Sequence, residues 1–152
     1  MVRCTRRSVL GLLGLGLPVV LLAQDKPQGF ENVQWMRLRG FNYKTGRIVE
    51  DVKVLDNALI QLEGYAVPLE DDSSREATEF LLVSSAGACI HTPPPPPNQI
   101  IHVKMNPATR ARIEVGKLFL VKGRMHIATV NSPYGDVAFQ MQGMTVERSK
   151  NE

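Results

Sequence analysis

The chain has 152 residues, of which 43% are hydrophobic and 22% are charged, and its formal net charge is +3. This length indicates a single domain with at most a leader or a tail added. The excess positive charge lies in Arg3, Arg6 and Arg7, because the residues from position 24 onward hold fifteen basic and fifteen acidic side chains. A neutral body without a dense Lys/Arg stripe argues against a surface that follows nucleic-acid phosphates, so we expect no nucleic-acid partner.

Residues 1–23 have the organisation of a signal peptide. Three arginines precede the uncharged run 9–23, which at about 1.5 Å per residue is short for a hydrocarbon core of about 30 Å. The stretch 5–10 (TRRSVL) also fits a twin-arginine export signal. An ordinary secretory signal and a single anchor helix are the alternatives. We therefore expect a bacterial periplasmic protein that contacts the membrane only through its uncleaved leader.

The rest of the chain is predicted to be a single β-domain at 34–148, preceded by a polar, flexible lead-in at 24–33 and followed by a tail at 149–152. Its strand-like segments are 34–43, 52–55, 59–67, 80–84, 100–105, 118–129 and 137–146. Only 107–115 has the composition of a short helix, since Pro107 suits the first turn.

This succession of short strands predicts a mainly β fold with one short helix. Interior glycines at 64, 123 and 143 suit strongly bent strands, such as those that close a small five-stranded Greek-key barrel. The helical stretch falls between the middle and late strands. We therefore predict a small antiparallel barrel of the OB type, with a β-sandwich as the alternative.

Half of the ten prolines lie in one run at positions 93–97. Such a run adopts polyproline II geometry, spans roughly 15 Å at about 3.1 Å per residue, and cannot donate to a sheet. It could dock into an aromatic groove of a partner, hold the preceding residues in place, or serve only as a stiff linker. The candidate interaction residues are Pro93, Pro94, Pro95, Pro96, Pro97, Asn98 and Gln99.

Two metal-ligand types, Cys89 and His91, stand two residues apart just before the prolines. In an extended segment such positions project to the same side, so a thiolate and an imidazole could reach one ion. This pair suits Zn²⁺ or copper and not Mg²⁺ or Ca²⁺. The alternatives are a nucleophile with its base, or a structural pair in which the cysteine is buried and the histidine is hydrogen-bonded.

Two ligands do not complete a metal site, so further side chains would have to converge on it. The candidates are His102, His126, Glu70, Met105, Met141 and Met144. The alternation of 100–105 directs His102 outward, where we expect it to face solvent, and His126 is expected on a sheet surface. No acid–base pair or activated nucleophile is evident, so an enzyme is the less supported hypothesis.

Three blocks of the sequence, 64–70 (GYAVPLE), 80–83 (FLLV) and 87–100 (GACIHTPPPPPNQI), resemble the bacterial Domain of Unknown Function 3299 family over about 50–130. The resemblance implies an exported protein or lipoprotein, and a relation to gene clusters that carry ABC-type transporters linked to zinc supply. It assigns no chemical role to any residue. The family pattern falls on Tyr65, Pro68, Leu69, Glu70, Gly87, Cys89, His91, the prolines, Asn98 and Gln99.

The sequence therefore predicts a non-enzymatic periplasmic accessory protein that binds zinc or copper and takes part in transition-metal handling or transport. The alternative is an interaction module without a metal. Such a module would present the polyproline segment to an ABC-type transporter or another envelope protein.

Overall fold

The computed structural model describes residues 29–69, 76–87 and 94–150, which form ten strands and two short helices. In chain order these are β1 (Glu31–Asn32), α1 (Trp35–Leu38), β2 (Phe41–Asn42), β3 (Arg47–Ile48), α2 (Glu50–Lys53), β4 (Leu59–Pro68), β5 (Glu76–Ala77), β6 (Glu79–Val83), β7 (Ile100–Met105), β8 (Ala111–Arg112), β9 (Leu118–Ser132) and β10 (Gly135–Arg148). A 3-10 helix (Pro97–Gln99) precedes β7.

Several sequence predictions fall outside the described residues. These are the leader, Glu70, Cys89, His91, Pro93 and the last two residues of the tail. Among the residues that are described, no helix has the length and apolar character needed to cross a membrane.

The prediction of a mainly β fold is confirmed, and five of the predicted strands are present as β4, β6, β7, β9 and β10. The strand prediction at 34–43 holds only for β2 (Phe41–Asn42) and is wrong for Trp35–Leu38, which form the single-turn helix α1. The strand prediction at 52–55 is wrong, because this segment begins inside the single-turn helix α2 and contains no strand. Val52 and Leu55 are both fully buried, and their spacing of three residues places them on one face of a helical turn. Neither helix has a side-chain cap, so tertiary packing rather than local sequence stabilises them.

The helix predicted at 107–115 is also wrong. The chain instead makes a turn, in which Thr109 donates its main-chain N–H to the carbonyl of Asn106 over 2.8 Å. Ala111 and Arg112 then pair with β5 as strand β8. Ala111 and Ile113 are buried while Arg112 is exposed, which is the two-residue period of a strand.

The five long strands pair in the order β4-β6-β7-β10-β9, and β9 pairs again with β4, so the pairings close into a ring. All neighbours in the ring are antiparallel except β7 and β10, which are parallel. The short strand β1 adds to β4 in parallel at Ile60 and Gln61. Strand β4 alternates between buried and half-buried residues, as expected when one face of a strand packs into the interior.

The interior of the ring is continuous with the N-terminal helices. Leu38, Val52 and Leu55 belong to the same buried cluster as the strand residues. Phe41 and Phe139 meet edge to face with ring centroids 5.7 Å apart, a geometry worth about 0.5–1.5 kcal/mol beyond burial. The segment before β4 therefore folds as part of the core.

A second buried cluster, which we call the outer cluster, consists of Leu81, Val83, Ile100 and Val137. In the pairing of β9 with β10, the register shifts between Val137 and Phe139. Because of this shift, Val137 joins the outer cluster while Phe139 remains in the interior.

Candidate functional site

Three polar residues lie side by side across the ring. His102 on β7 is paired with Gln140 on β10, and Gln140 is paired with His126 on β9. Directly opposed residues share a sheet face, with Cβ atoms about 4.5–5.5 Å apart. We call these three residues the histidine row. The row lies on the outside of the ring, because the chain neighbours Val103, Met125 and Met141 are buried in the interior.

The histidine row lines a cavity of about 400 Å³, a volume within the usual range of ligand pockets. The other residues that line it are Lys104, Met105, Asn106, Pro107, Met141 and Gln142. At its rim, Gln142 donates its side-chain amide to the Asn106 side-chain oxygen over 2.9 Å. The cavity thus offers imidazoles, amides and one ammonium group.

His102 is the most unusual side chain of this cavity. Only 13% of it is exposed, and both ring nitrogens are buried without a hydrogen bond to any described residue. Its Nε2 lies 3.3 Å from Oε2 of Glu79, so this nitrogen faces a carboxylate. Nδ1 has no polar partner among the described residues, and because buried nitrogens nearly always have one, Nδ1 is the atom open to a ligand.

Glu79, on β6, is the acidic group of this site. Lys104 donates a hydrogen bond of 2.7 Å to its Oε1, and this bond is the main cause that lowers the pKa of Glu79 against the opposing effect of burial. The charge of Lys104 and the contact with His102 lower this pKa further. The hydrogen bond with Glu79 in turn raises the pKa of Lys104. Glu79 therefore stays ionised beside His102 and favours a cation there.

The positions of the predicted ligands, among the described residues, only partly support a metal site. His102 and His126 line one cavity, and the buried methionines Met105 and Met141 are also among its lining residues. Met144 is half-buried on β10 and does not line the cavity. Within 29–69, 76–87 and 94–150, no three His, Cys, Asp or Glu side chains converge to hold a metal ion.

The two segments that hold the remaining ligand candidates flank β6. The chain enters β6 from the segment that contains Glu70 and leaves it toward Cys89 and His91, which precede β7. His102 is the third residue of β7. In the sequence, Cys89 and His91 are therefore separated from His102 by fewer residues than Glu70 is.

The end of the proline run is attached to the N-terminal segment. Asn98 and Gln99 are 8% and 4% exposed. The side-chain amide of Asn98 donates to the Phe41 carbonyl over 2.8 Å, and that of Gln99 donates to the Trp35 carbonyl over 3.2 Å. These two candidate interaction residues thus anchor the segment, whereas Pro94 and Pro96 are exposed.

Sequence reasoning missed Gln140 and Glu79. The strand prediction at 137–146 placed Gln140 on a strand, but only the register between β7 and β10 brings it beside His102. Glu79 stands one residue before the predicted strand at 80–84, and its contact with His102 depends on the pairing of β6 with β7.

Comparison with protein families matches residues 36–148 to a family described as protein of unknown function, DUF3299. Among solved structures, the chain is similar to the crystal structure of a DUF3299 family protein from Pseudomonas aeruginosa PAO1. That similarity has 28% sequence identity and a TM-score of 0.66, and covers 82% of this chain and 99% of that chain. A search of curated proteins finds no match.

Proposed function

The chain belongs to the DUF3299 family, and we propose that it is an exported accessory protein that binds a transition-metal ion on the outside of an OB-like barrel. The observation that carries the proposal is the buried His102 imidazole, whose two nitrogens have no hydrogen bond among the described residues.

The order of the strands supports an OB-like barrel. Numbered along the chain, the five long strands pair as first-second-third-fifth-fourth and back to the first. The third and fifth strands are the parallel pair. This is a five-stranded ring with crossed-over connections, as in small Greek-key barrels. A β-sandwich is less well supported, because β4 pairs directly with β9 and closes the ring.

The chemistry of the histidine row supports a transition metal. A neutral imidazole offers a nitrogen lone pair, and zinc and copper bind imidazole readily, with Zn–N distances of about 2.0–2.1 Å. A coordinate bond to His102 Nδ1 would supply the partner that this nitrogen lacks among the described residues. Glu79 would attract the ion, whereas Lys104, which pairs with Glu79 and lines the cavity, would repel it.

Cys89 and His91 are the ligands we propose beside His102 and His126. They stand between β6 and β7, the two strands that carry Glu79 and His102. Three imidazoles and one thiolate would give a tetrahedral set suited to Zn²⁺, and the thiolate also suits Cu⁺. Glu70, on the other side of β6 in the chain, is the weaker candidate.

Metal titration of the full chain tests this function. Zn²⁺ and Cu⁺ affinities are measured by competition with a chromophoric chelator for the parent, His102→Ala and the double variant Cys89→Ala/His91→Ala. Loss of one ligand should weaken binding at least about tenfold. The control is Lys122→Met, whose side chain pairs with Glu147 and does not line the cavity, and it should bind like the parent. Equal affinity of the parent, His102→Ala and the double variant would refute the site.

Export through the twin-arginine route is the second part of the proposal. Replacing both Arg6 and Arg7 by lysine keeps the positive charge of the leader but removes the paired arginines. We expect this variant to accumulate as precursor in the cytoplasmic fraction. Normal appearance of the variant in the periplasmic fraction would leave an ordinary secretory signal as the better explanation.

A second candidate function is favoured by the exposure of Pro94 and Pro96. Asn98 and Gln99 hold the end of the run against the body, so a stiff segment is presented at the surface. An ABC-type transporter or another envelope protein is the proposed partner. Replacing Pro94 and Pro96 by serine should abolish co-purification of that partner without changing metal content, and a retained complex would contradict this role.

A further inference from the structure

A second cavity lies on the side of the ring formed by β1, β4 and β9. Its volume is about 530 Å³, and it shares no lining residue with the cavity of the histidine row. We call it the Trp35 groove. The side chains that carry its chemistry are Trp35, Tyr65, Asn32, Gln34, Gln61 and Glu63.

Trp35 is held in place from two sides. Its indole Nε1 donates a hydrogen bond of 2.7 Å to the main-chain carbonyl of Glu63, and its own carbonyl accepts the amide of Gln99. Because the indole N–H is already used, the ring offers a ligand its aromatic surface rather than a donor. A fixed aromatic wall also reduces the loss of side-chain freedom on binding.

The charge of the groove disfavours anionic ligands. Its described lining residues include no lysine, arginine or histidine, so a phosphate or carboxylate would find no opposite charge. The single acid, Glu63, accepts a hydrogen bond of 2.6 Å from the hydroxyl of Ser149. The remaining polar groups are the neutral amides of Asn32, Gln34 and Gln61. These properties favour an uncharged ligand that makes many hydrogen bonds.

We infer that the Trp35 groove binds a neutral oligosaccharide. The C–H face of a pyranose ring carries partial positive charge and is attracted to the negative face of an aromatic ring, which Trp35 and Tyr65 supply. Side-chain amides both donate and accept, so the amides of Gln34 and Gln61 match sugar hydroxyls. A largely preformed pocket with aromatic walls and a few polar groups is the usual form of a small-ligand site.

Intrinsic fluorescence tests this inference directly, because Trp35 is the only tryptophan in the chain. The full chain is titrated with two neutral probes, chitotetraose and maltotetraose. We expect at least one of them to change the tryptophan emission saturably, with a dissociation constant of roughly 1 mM or tighter. A lack of saturable change with both sugars would overturn the inference.

Variants of groove residues test whether the change in tryptophan emission comes from sugar bound in the Trp35 groove. Gln61→Ala and the exposed Gln34→Ala each remove one amide, and a lost hydrogen bond of about 1 kcal/mol corresponds to roughly fivefold weaker binding. Circular dichroism checks that each variant is folded, and Gln34→Ala, at an exposed position, provides the test if Gln61→Ala does not fold. Gln142→Ala, at the other cavity, should bind like the parent. Unchanged sugar affinity in a folded groove variant would refute the assignment, whatever the metal titrations give.

Discussion

The side-chain amide of Asn98 donates a hydrogen bond of 2.8 Å to the main-chain carbonyl of Phe41, 57 residues earlier in the chain. Asn98 is 8% exposed, so alanine in its place leaves a carbonyl without this partner in a buried environment. Such a loss costs about 1–3 kcal/mol. We expect Asn98→Ala to lower the free energy of unfolding by about 2 kcal/mol, measured by urea denaturation.

The matched control for Asn98 is Gln142→Ala, whose hydrogen bond to Asn106 is exposed. This variant should change the free energy of unfolding by no more than about 0.5 kcal/mol. Equal stability of the two variants would mean that the contact with Phe41 does not hold the segment in place.

Gly123 on β9 is paired with Gly143 on β10. A Cβ atom added there would lie 2.3 Å from the main-chain oxygen of Gln142. Main chain cannot move aside as a flexible side chain does, so β10 would have to shift. We expect Gly123→Ala to lower the free energy of unfolding by about 3 kcal/mol. Gly29→Ala, whose added Cβ meets no atom within 4 Å, is the control and should be close to neutral.

The buried ring nitrogens of His102 are expected to contribute little to the free energy of unfolding. A phenylalanine of similar shape removes both polar atoms that lack hydrogen bonds among the described residues. With metal chelated by EDTA, His102→Phe should therefore be as stable as the parent in thermal unfolding, or up to about 1 kcal/mol more stable. Added Zn²⁺ should raise the melting temperature of the parent clearly more than that of the variant, which has lost one of the proposed ligands. A marked loss of stability of the variant in EDTA would assign His102 a structural role.

The pair Glu79–Lys104 predicts a pH dependence. The pKa of Glu79 is lowered mainly by the hydrogen bond from Lys104, so its ionisation stabilises the fold above the ordinary carboxyl range. That contribution is lost as the pH falls through the lowered pKa. Lys104→Met should raise the pKa of Glu79, measured by NMR titration of the carboxyl carbon, and should weaken the decline in stability on the acid side.

The control for this titration is Lys122→Met. Lys122 pairs with Glu147 over 3.3 Å and is not among the groups that shift Glu79. It should leave the pKa of Glu79 where it is in the parent. An unchanged pKa in Lys104→Met would contradict the assigned cause.

Which parts of the fold could be predicted from the sequence depends on the length of each element. Strands such as β7 alternate over six residues, and their predicted bounds agree with the structure. The four residues of α1 or α2 give no such period, and they become helical because Leu38 and Val52 pack into the core. At 111–112 the pairing with β5 overrides a local preference for helix. The DUF3299 resemblance is confirmed, whereas the OB-like form remains a prediction.

The candidate site was predictable only in part. The alternating pattern of β7 correctly predicted that His102 lies on the outer face of its strand. The expectation that it faces solvent is wrong, since only 13% of the side chain is exposed. Burial there depends on pairing partners that are distant in sequence, Leu81 on one side and Gln140 on the other. The roles of Cys89, His91, Glu70 and the prolines remain predictions, as do the export route, the metal and the partner.

Of the five ring strands, β10 comes last in sequence, and in the described structure it is the strand that joins β7 to β9. During synthesis, a chain that has emerged only to the end of β9 leaves one edge of β7 and one edge of β9 without their partner. The ring can close only when residues up to about 148 are available to pair. Closure of this ring therefore depends on β10, and a deletion that removes β10 would leave both β7 and β9 with an unpaired edge.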